Sequence, residues 1–170
     1  MAGGYATEAW HDFFVGAAGS AAALSGLIFV AVSINLRDIL TEEKKIGSSY
    51  LTGRALESLV ALLIVLGISL VGLDPSIDRG VFAGVLLLSA VGTAISPARS
   101  VSAYRRSHVK PVAFNLRLFL ALLLVASYAV GGATLLARSG GGLQWLPFAF
   151  VLAVTIAASN AWILLVEVLR

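Results

Sequence analysis

Long apolar segments alternate with short polar ones along the chain, and this alternation is its dominant pattern. A helix rises about 1.5 Å per residue, so about 20 apolar residues cross the roughly 30 Å hydrocarbon core of a bilayer. The pattern predicts an all-α, polytopic membrane helix bundle that forms one domain over residues 1–170. The five predicted spans are residues 13–35, 55–73, 80–97, 117–137 and 144–167.

Two of the polar links are short and rich in turn-forming residues. The link 73–80 contains Asp74-Pro75, and the link 137–144 contains the run Gly140–Gly142. Such residues terminate helices, so spans 2 and 3 and spans 4 and 5 are predicted to form tight antiparallel hairpins. The segment 37–47, rich in Glu and Lys, is predicted to extend span 1 as a solvated helix that ends at Gly47.

Composition agrees with a membrane protein. The chain is 59% hydrophobic and 12% charged, with a mean hydropathy of +0.95. A soluble domain has about 25% charged residues. Cysteine is absent, which excludes disulfides, thiolate catalysis and zinc–thiolate sites.

The distribution of lysine and arginine predicts an orientation. With five spans, two basic residues, Arg79 and Arg138, fall on one side of the membrane and ten on the other. Basic residues accumulate in cytoplasmic loops, so the N-terminus is predicted outside and the C-terminus in the cytoplasm. The ten predicted cytoplasmic residues are Arg37, Lys44, Lys45, Arg54, Arg99, Arg105, Arg106, Lys110, Arg117 and Arg170.

The segment RSVSAYRRSHVK (99–110) is the most basic part of the predicted cytoplasmic face and contains no acid. We interpret it as an orientation signal that also contacts anionic lipid headgroups, which attract basic residues by about 1 kcal/mol each. A docking site for a cytosolic protein is the alternative. A nucleic-acid partner is not predicted, since the net charge of +3 follows from topology.

Small residues form a stripe along span 1. Its members repeat at steps of three and four, which is a heptad pattern on one face of a helix. Small residues let membrane helices approach closely, so span 1 is expected to be a central helix gripped on this side. The stripe consists of Gly16, Gly19, Ala23, Gly26, Val30 and Ser33.

Span 3 carries a second stripe, in which Gly80, Gly84, Gly92 and Ser96 are spaced by multiples of four. Packing within one chain and packing between subunits both explain it. A bundle of five helices offers few internal neighbours for two such surfaces. We therefore expect a homo-oligomer or a partner membrane protein.

Several polar residues fall at the predicted inner-leaflet ends of the spans, where burial of polar groups is expensive. They are Asn35, Glu57, Asn115, Arg117, Asn160 and Glu167. They could form one cluster, in which Glu57 or Glu167 pairs with Arg117. One reading is that the charged residues reach the interface while Asn160 joins two helices. The other reading is an ion or proton vestibule.

Catalytic motifs are absent from the sequence. His11 and His108 are predicted on opposite sides of the membrane, and all four aspartates lie in tails or loops. HExxH, GxSxG, P-loop and dinucleotide-binding patterns are missing. We therefore predict no enzyme activity, no catalytic or metal-binding residues and no cofactor.

The run WHDFFVGAAGSAAALSGLIFVAVSINLRDIL (10–40) resembles the opening of small bacterial multi-span membrane proteins. These share a WHDFF-type start, a Gly/Ala-rich first span and a GL.FVA.S.NL finish, here Gly26 to Leu36. The resemblance implies a multi-pass protein of the bacterial inner membrane. Some of these proteins are labelled as modulators of a membrane-anchored ATP-dependent protease.

Two hypotheses for function follow. The first is a non-enzymatic scaffold or regulator that works through helix–helix contacts, as the small-residue stripes suggest. The second is a small homo-oligomeric channel or transport subunit, whose polar vestibule would open at the cytoplasmic leaflet.

Overall fold

The computed structural model describes residues 6–46, 50–104 and 111–168, and every element within them is a helix. The predicted all-α bundle of apolar helices is confirmed. Short 3₁₀ turns at Thr7–Trp10 and Gly142–Trp145 precede the first and last long helices. The five long helices are α1 (His11–Ile46), α2 (Tyr50–Gly72), α3 (Arg79–Tyr104), α4 (Pro111–Ala137) and α5 (Leu146–Val168).

Four of these helices are long and apolar enough to cross a membrane: α1, α2, α4 and α5. The part of α3 whose side chains are described, Arg79–Ile95, is apolar but shorter. The backbone of α3 continues as helix to Tyr104, for 26 residues, which corresponds to about 39 Å. The described residues therefore contain four to five helices that can span a bilayer.

The first helix is much longer than a bilayer requires. Its 36 residues extend about 54 Å against the roughly 30 Å hydrocarbon core. The predicted helical extension is confirmed, since α1 continues to Ile46, and its predicted stop at Gly47 lies outside the described residues. The extension is anchored to the next helix, because Ile39 packs in a small buried cluster with Ala55.

Helices α2 to α5 form a ring in chain order, and α1 lies outside it against α2 and α5. Helix α3 contacts α4 much more extensively than it contacts α2, and α2 contacts α5 more extensively than it contacts α3. The bundle therefore consists of two layers, α3–α4 and α1–α2–α5. We call the end that holds the α2–α3 and α4–α5 turns the hairpin end, and the opposite end, which carries Arg54 and Arg117, the basic end.

Aromatic residues at the start of α1 attach it to the ring. Phe14 is fully buried and fills the space beside Gly72 of α2. Its ring lies edge-on to that of Phe82 of α3, with 5.8 Å between the ring centroids. A Cβ at Gly72 would lie 2.7 Å from the Phe14 ring, so a larger residue there would force the buried ring to move. Phe13 stacks on Phe150 of α5 at 5.3 Å. The two phenylalanines thus contact three helices at the hairpin end.

The α3–α4 layer is held together by a close backbone approach at Gly132. A Cβ at this position would lie 2.9 Å from Leu87 Cγ and 3.1 Å from the Ala83 carbonyl oxygen. Gly131 lies one residue away, within ordinary contact distance of Trp145 and Leu86. This glycine pair lets α4 pack tightly on α3 and on the turn before α5.

Both predicted hairpin turns are present. The Asp74 carboxylate accepts hydrogen bonds from the Ser76 hydroxyl (2.6 Å) and the Ser76 backbone N–H (2.8 Å). These bonds, the hydroxyl's first, lower the pKa of Asp74 below its ordinary 3.8. Asp78 accepts from the Gly80 N–H at 2.7 Å and so caps the start of α3. The second turn uses left-handed backbone, with φ of 86° at Gly140 and 106° at Gly141.

The expectation that span 1 is central and gripped on its small side is wrong within a single chain. Gly16, Gly19, Ala23 and Gly26 are exposed, and a Cβ at any of these glycines would meet nothing within 4 Å. Helix α1 packs mainly against α2 and α5, which cover its opposite face, and its Phe14 also touches α3. Ser33 is exposed as well, and its hydroxyl donates to the Phe29 carbonyl of its own helix.

Candidate functional site

Polar side chains from three helices meet inside the ring at its basic end. Glu57 of α2 forms an ion pair with Arg117 of α4, and the same carboxylate oxygen accepts a hydrogen bond from Asn160 Nδ2 of α5 at 3.2 Å. Because α2 and α4 are diagonal in the ring, the ion pair crosses its interior. We call Glu57, Arg117 and Asn160 the polar node.

The node is removed from solvent to different degrees. Asn160 is 3% exposed, the Glu57 side chain 10% and the Arg117 side chain 24%. Taking two charges out of water costs free energy that their attraction offsets only with good geometry and further hydrogen bonds. Asn160 supplies such a bond to Glu57. The node is therefore a charge pair that needs all three helices in place.

Arg54 lies one turn before Glu57 on α2 and is also buried, with 8% of its surface exposed. From the sequence, this arginine is predicted only as one of the ten basic residues on the cytoplasmic side. The Ser58 hydroxyl, which is fully buried, donates to the Arg54 carbonyl at 3.0 Å. The basic end of α2 thus contributes both a cation and an anion to the interior.

Two residues proposed for the same cluster, Asn35 and Asn115, do not join the node. Asn35 turns back on its own helix and donates to the Ala31 carbonyl at 2.8 Å. Asn115 is exposed on α4, because it lies two residues, or about 200°, from Arg117. The side chain of Glu167 lies outside the described residues, so of the two acids considered for Arg117, the structure places Glu57 against it.

The chemical groups of the node are one carboxylate, one guanidinium group and one amide. Among the described residues, no group of three or more His, Cys, Asp or Glu side chains is placed to hold a metal ion. A cluster of this kind can hold helices in register, or it can take part in ion or proton passage.

A second candidate surface is the small-residue stripe of α1. Gly16 follows the buried Phe14 by two residues, and Ala23 follows the buried Ala21 by two. Two residues correspond to about 200° around a helix. The stripe therefore points away from the bundle, and Val30 continues it with 53% of its surface exposed. We call Gly16, Gly19, Ala23, Gly26 and Val30 the outer face of α1.

The stripe predicted on α3 does not form one packing surface within the chain. Gly80 is exposed beside its cap Asp78, and Gly84 is exposed with nothing near it. A Cβ at Gly92 would reach Ile64 of α2 at 3.9 Å, which is an ordinary contact. The side chain of Ser96 lies outside the described residues.

The glycines with the closest contacts between helices were not among the packing residues predicted from the sequence. Gly72 and Gly132 approach neighbouring side chains, but neither belongs to a regular stripe. The available signals were the adjacent pair Gly131-Gly132 inside an apolar span and the adjacent Phe13-Phe14. A large side chain and a gap for it are complementary, but they are far apart in the sequence.

A comparison of the chain with protein-family models, with curated proteins and with solved structures finds no match.

Proposed function

We propose that this protein is a non-enzymatic membrane scaffold or regulator, and that the outer face of α1 contacts a helix of another subunit or membrane protein. The exposure of that face carries the proposal. The protein's own helices cover the other side of α1, so a partner would be added without disturbing the bundle.

Lipid is a poor explanation for such a face. Lipid tails are as apolar as leucine, so a helix gains nothing from glycine where it faces lipid. Glycine also costs about 1 kcal/mol relative to alanine within a helix. Close approach of another helix recovers that free energy through van der Waals contact. Other exposed positions of α1 do carry large residues, among them Leu27 and Phe29, as lipid contact favours.

The proposal includes the setting predicted from the sequence. The protein would be a multi-pass protein of the bacterial inner membrane, with its N-terminus outside and its basic end at the cytoplasmic leaflet, in contact with anionic headgroups. The partner would be a second copy or another membrane protein. The resemblance over residues 10–40 makes a membrane-anchored ATP-dependent protease one partner to include in the test.

The test uses the absence of native cysteine. Ala23→Cys places a thiol on the outer face, and Ala31→Cys places one at an exposed position of α1 off the stripe. A disulfide requires Cα atoms within about 7 Å. Oxidation in native membranes should therefore crosslink a second copy through position 23 and not through 31. A photo-crosslinker at the same two positions should detect a different partner.

Equal crosslinking from both positions, or none from either by both methods, would overturn the proposal. The protease is tested by whether its subunit appears in the photo-crosslinked product from position 23.

The alternative is a small homo-oligomeric channel or transport subunit, and the polar node favours it because it places charge inside the ring. Purified protein in liposomes would then pass ions or protons, and Glu57→Gln would change the flux. The matched control is Glu43→Gln, since Glu43 lies outside the node and binds Thr52. No flux over a broad ion panel would eliminate the channel and leave the scaffold proposal standing.

A further inference from the structure

Among the side chains that the structure describes, the two layers of the bundle are joined differently at the two ends. At the hairpin end, short turns connect α2 to α3 and α4 to α5, so each turn links one layer to the other. Buried apolar residues reinforce these links. Phe14 of the α1–α2–α5 layer contacts Phe82 of α3, and Leu143 and Leu146 are fully buried at the α4–α5 turn. The layers are therefore fastened to each other at this end by both chain and core.

The basic end is joined by polar contacts in the described structure. Arg117 belongs to the α3–α4 layer, whereas Glu57 and Asn160 belong to the other layer. The ion pair therefore crosses the boundary between layers. The apolar core begins one turn deeper, with Ala61 and Ala121, which follow Glu57 and Arg117 by four residues.

A buried ion pair is a weak way to add stability, because replacing one with packed apolar residues is often neutral or stabilising. Breaking the pair from one side is costly, because it leaves a charge buried without its partner. A charge pair at a layer boundary thus gives two defined states, one paired and one open to water.

We propose that the polar node is a latch that closes the basic end of the bundle. The α3–α4 layer turns about the two hairpin turns, and the Glu57–Arg117 pair parts when it does. Arg117 is the most exposed member of the node, with 24% of its side chain exposed. Opening exposes Asn160 and the two buried alanines one turn deeper, Ala61 and Ala121. The latch is independent of the proposed contacts of α1, which moves with α2 and α5.

The experiment measures how fast a water-soluble reagent reaches the buried alanine positions beneath the latch. Ala121→Cys, 6% exposed in the closed bundle, is made in the cysteine-free chain and treated with a water-soluble maleimide in nanodiscs. With the latch intact, labelling should be slow. Glu57→Gln keeps the shape but removes the charge, and it should speed labelling by at least about tenfold, because Arg117 then favours water over its unpaired site. The double variant Glu57→Arg/Arg117→Glu should restore much of the protection.

Ala149→Cys is the matched control, since Ala149 is fully buried at the hairpin end. It should stay unlabelled in every background. Equal rates at position 121 with and without Glu57→Gln would overturn the latch. A parallel rise at position 149 would also overturn it, since the bundle would then be loosening as a whole.

A distance measurement shows whether faster labelling of Ala121→Cys comes from separation of the two layers. Spin labels at Leu116→Cys and Trp162→Cys, both exposed and on opposite layers, report the gap at the basic end. Glu57→Gln or Arg117→Gln should lengthen and broaden their distance distribution. An unchanged distribution in both variants would overturn the proposal.

Discussion

Two glycine-containing surfaces of this protein have opposite environments. At Gly132, α4 approaches α3 so closely that a Cβ would lie 3.1 Å from the Ala83 carbonyl oxygen. At Gly19, on the outer face of α1, a Cβ would meet nothing within 4 Å. The same residue type thus closes an interface in one place and faces the surroundings of the bundle in the other.

The difference teaches that a small-residue stripe shows where a helix can be approached, not what approaches it. Gly132 has one immediate glycine neighbour and no regular stripe, yet it lies in the tightest helix pair. The outer face of α1 has the most regular stripe, and a Cβ at any of its glycines would meet no described part of the chain within 4 Å. A regular stripe of small residues favours contact along the whole length of a helix. A single bundle does not require such a contact on the outside of a helix at its periphery.

The largest expected effect comes from Gly132→Val. The added atoms would collide with Leu87 and with the backbone of Ala83, which cannot rotate away. Overpacking of this kind costs about 1–3 kcal/mol or more. The free energy of unfolding, measured by denaturant titration in detergent, should fall accordingly. Gly84→Val is the control on exposed α3 surface and should change it by less than about 0.5 kcal/mol; equal losses would contradict the contrast.

The outer face should show the reverse behaviour. Ala23→Leu should leave the free energy of unfolding of the protomer unchanged, because position 23 is exposed. It should weaken association at least about tenfold, or about 1.4 kcal/mol, because leucine prevents close helix approach. The association can be measured by energy transfer between fluorescently labelled copies of the protein in liposomes as the protein is diluted with lipid. Ala31→Leu, exposed but off the stripe, should have no effect, and an equal loss there would remove the special role of the stripe.

The smallest expected effect concerns the α2–α3 turn, which has no part in either glycine surface. The lowered pKa of Asp74 means that the folded protein favours its carboxylate. Its contribution to stability is therefore present above pH 3.8 and is lost as the pH falls through the lower folded pKa. Because Asp74 is fully exposed, we expect a shift in Tm on the order of 1 °C.

Ser76→Ala removes the hydroxyl, the larger of the two causes that lower this pKa, and keeps the backbone N–H bond, so it should reduce that acid-dependent part of the Tm. Thermal unfolding of both proteins across the acid range provides the measurement. Association through the outer face of α1 should be the same in both proteins at each pH. A change in association with Ser76→Ala would show that the α2–α3 turn and the outer face of α1 are coupled, and would contradict their expected independence.

Much of the polar node could be predicted from depth alone. Glu57 and Arg117 lie within three residues of the predicted inner-leaflet ends of their spans, and Asn160 lies seven residues, or about 10 Å, from the end of span 5, so antiparallel packing brings all three to the same end of the bundle. Their pairing could not be predicted, because Glu167 offers the same charge at a similar depth. The choice depends on how each helix is rotated about its axis, and a rotation of one residue's width, about 100°, changes which side chain faces inward.

The sequence by itself determined the helices, their turns and the helical extension of α1. These depend on local chemistry: apolar runs of sufficient length, the Asp74-Pro75 and glycine breakers, and side chains that cap their own turn. Only the tertiary structure decided that α1 lies outside the ring, that Phe14 fills the space at Gly72, and that the small stripe faces outward. Those outcomes depend on which neighbour reaches each face, and residues far apart in the chain set that together.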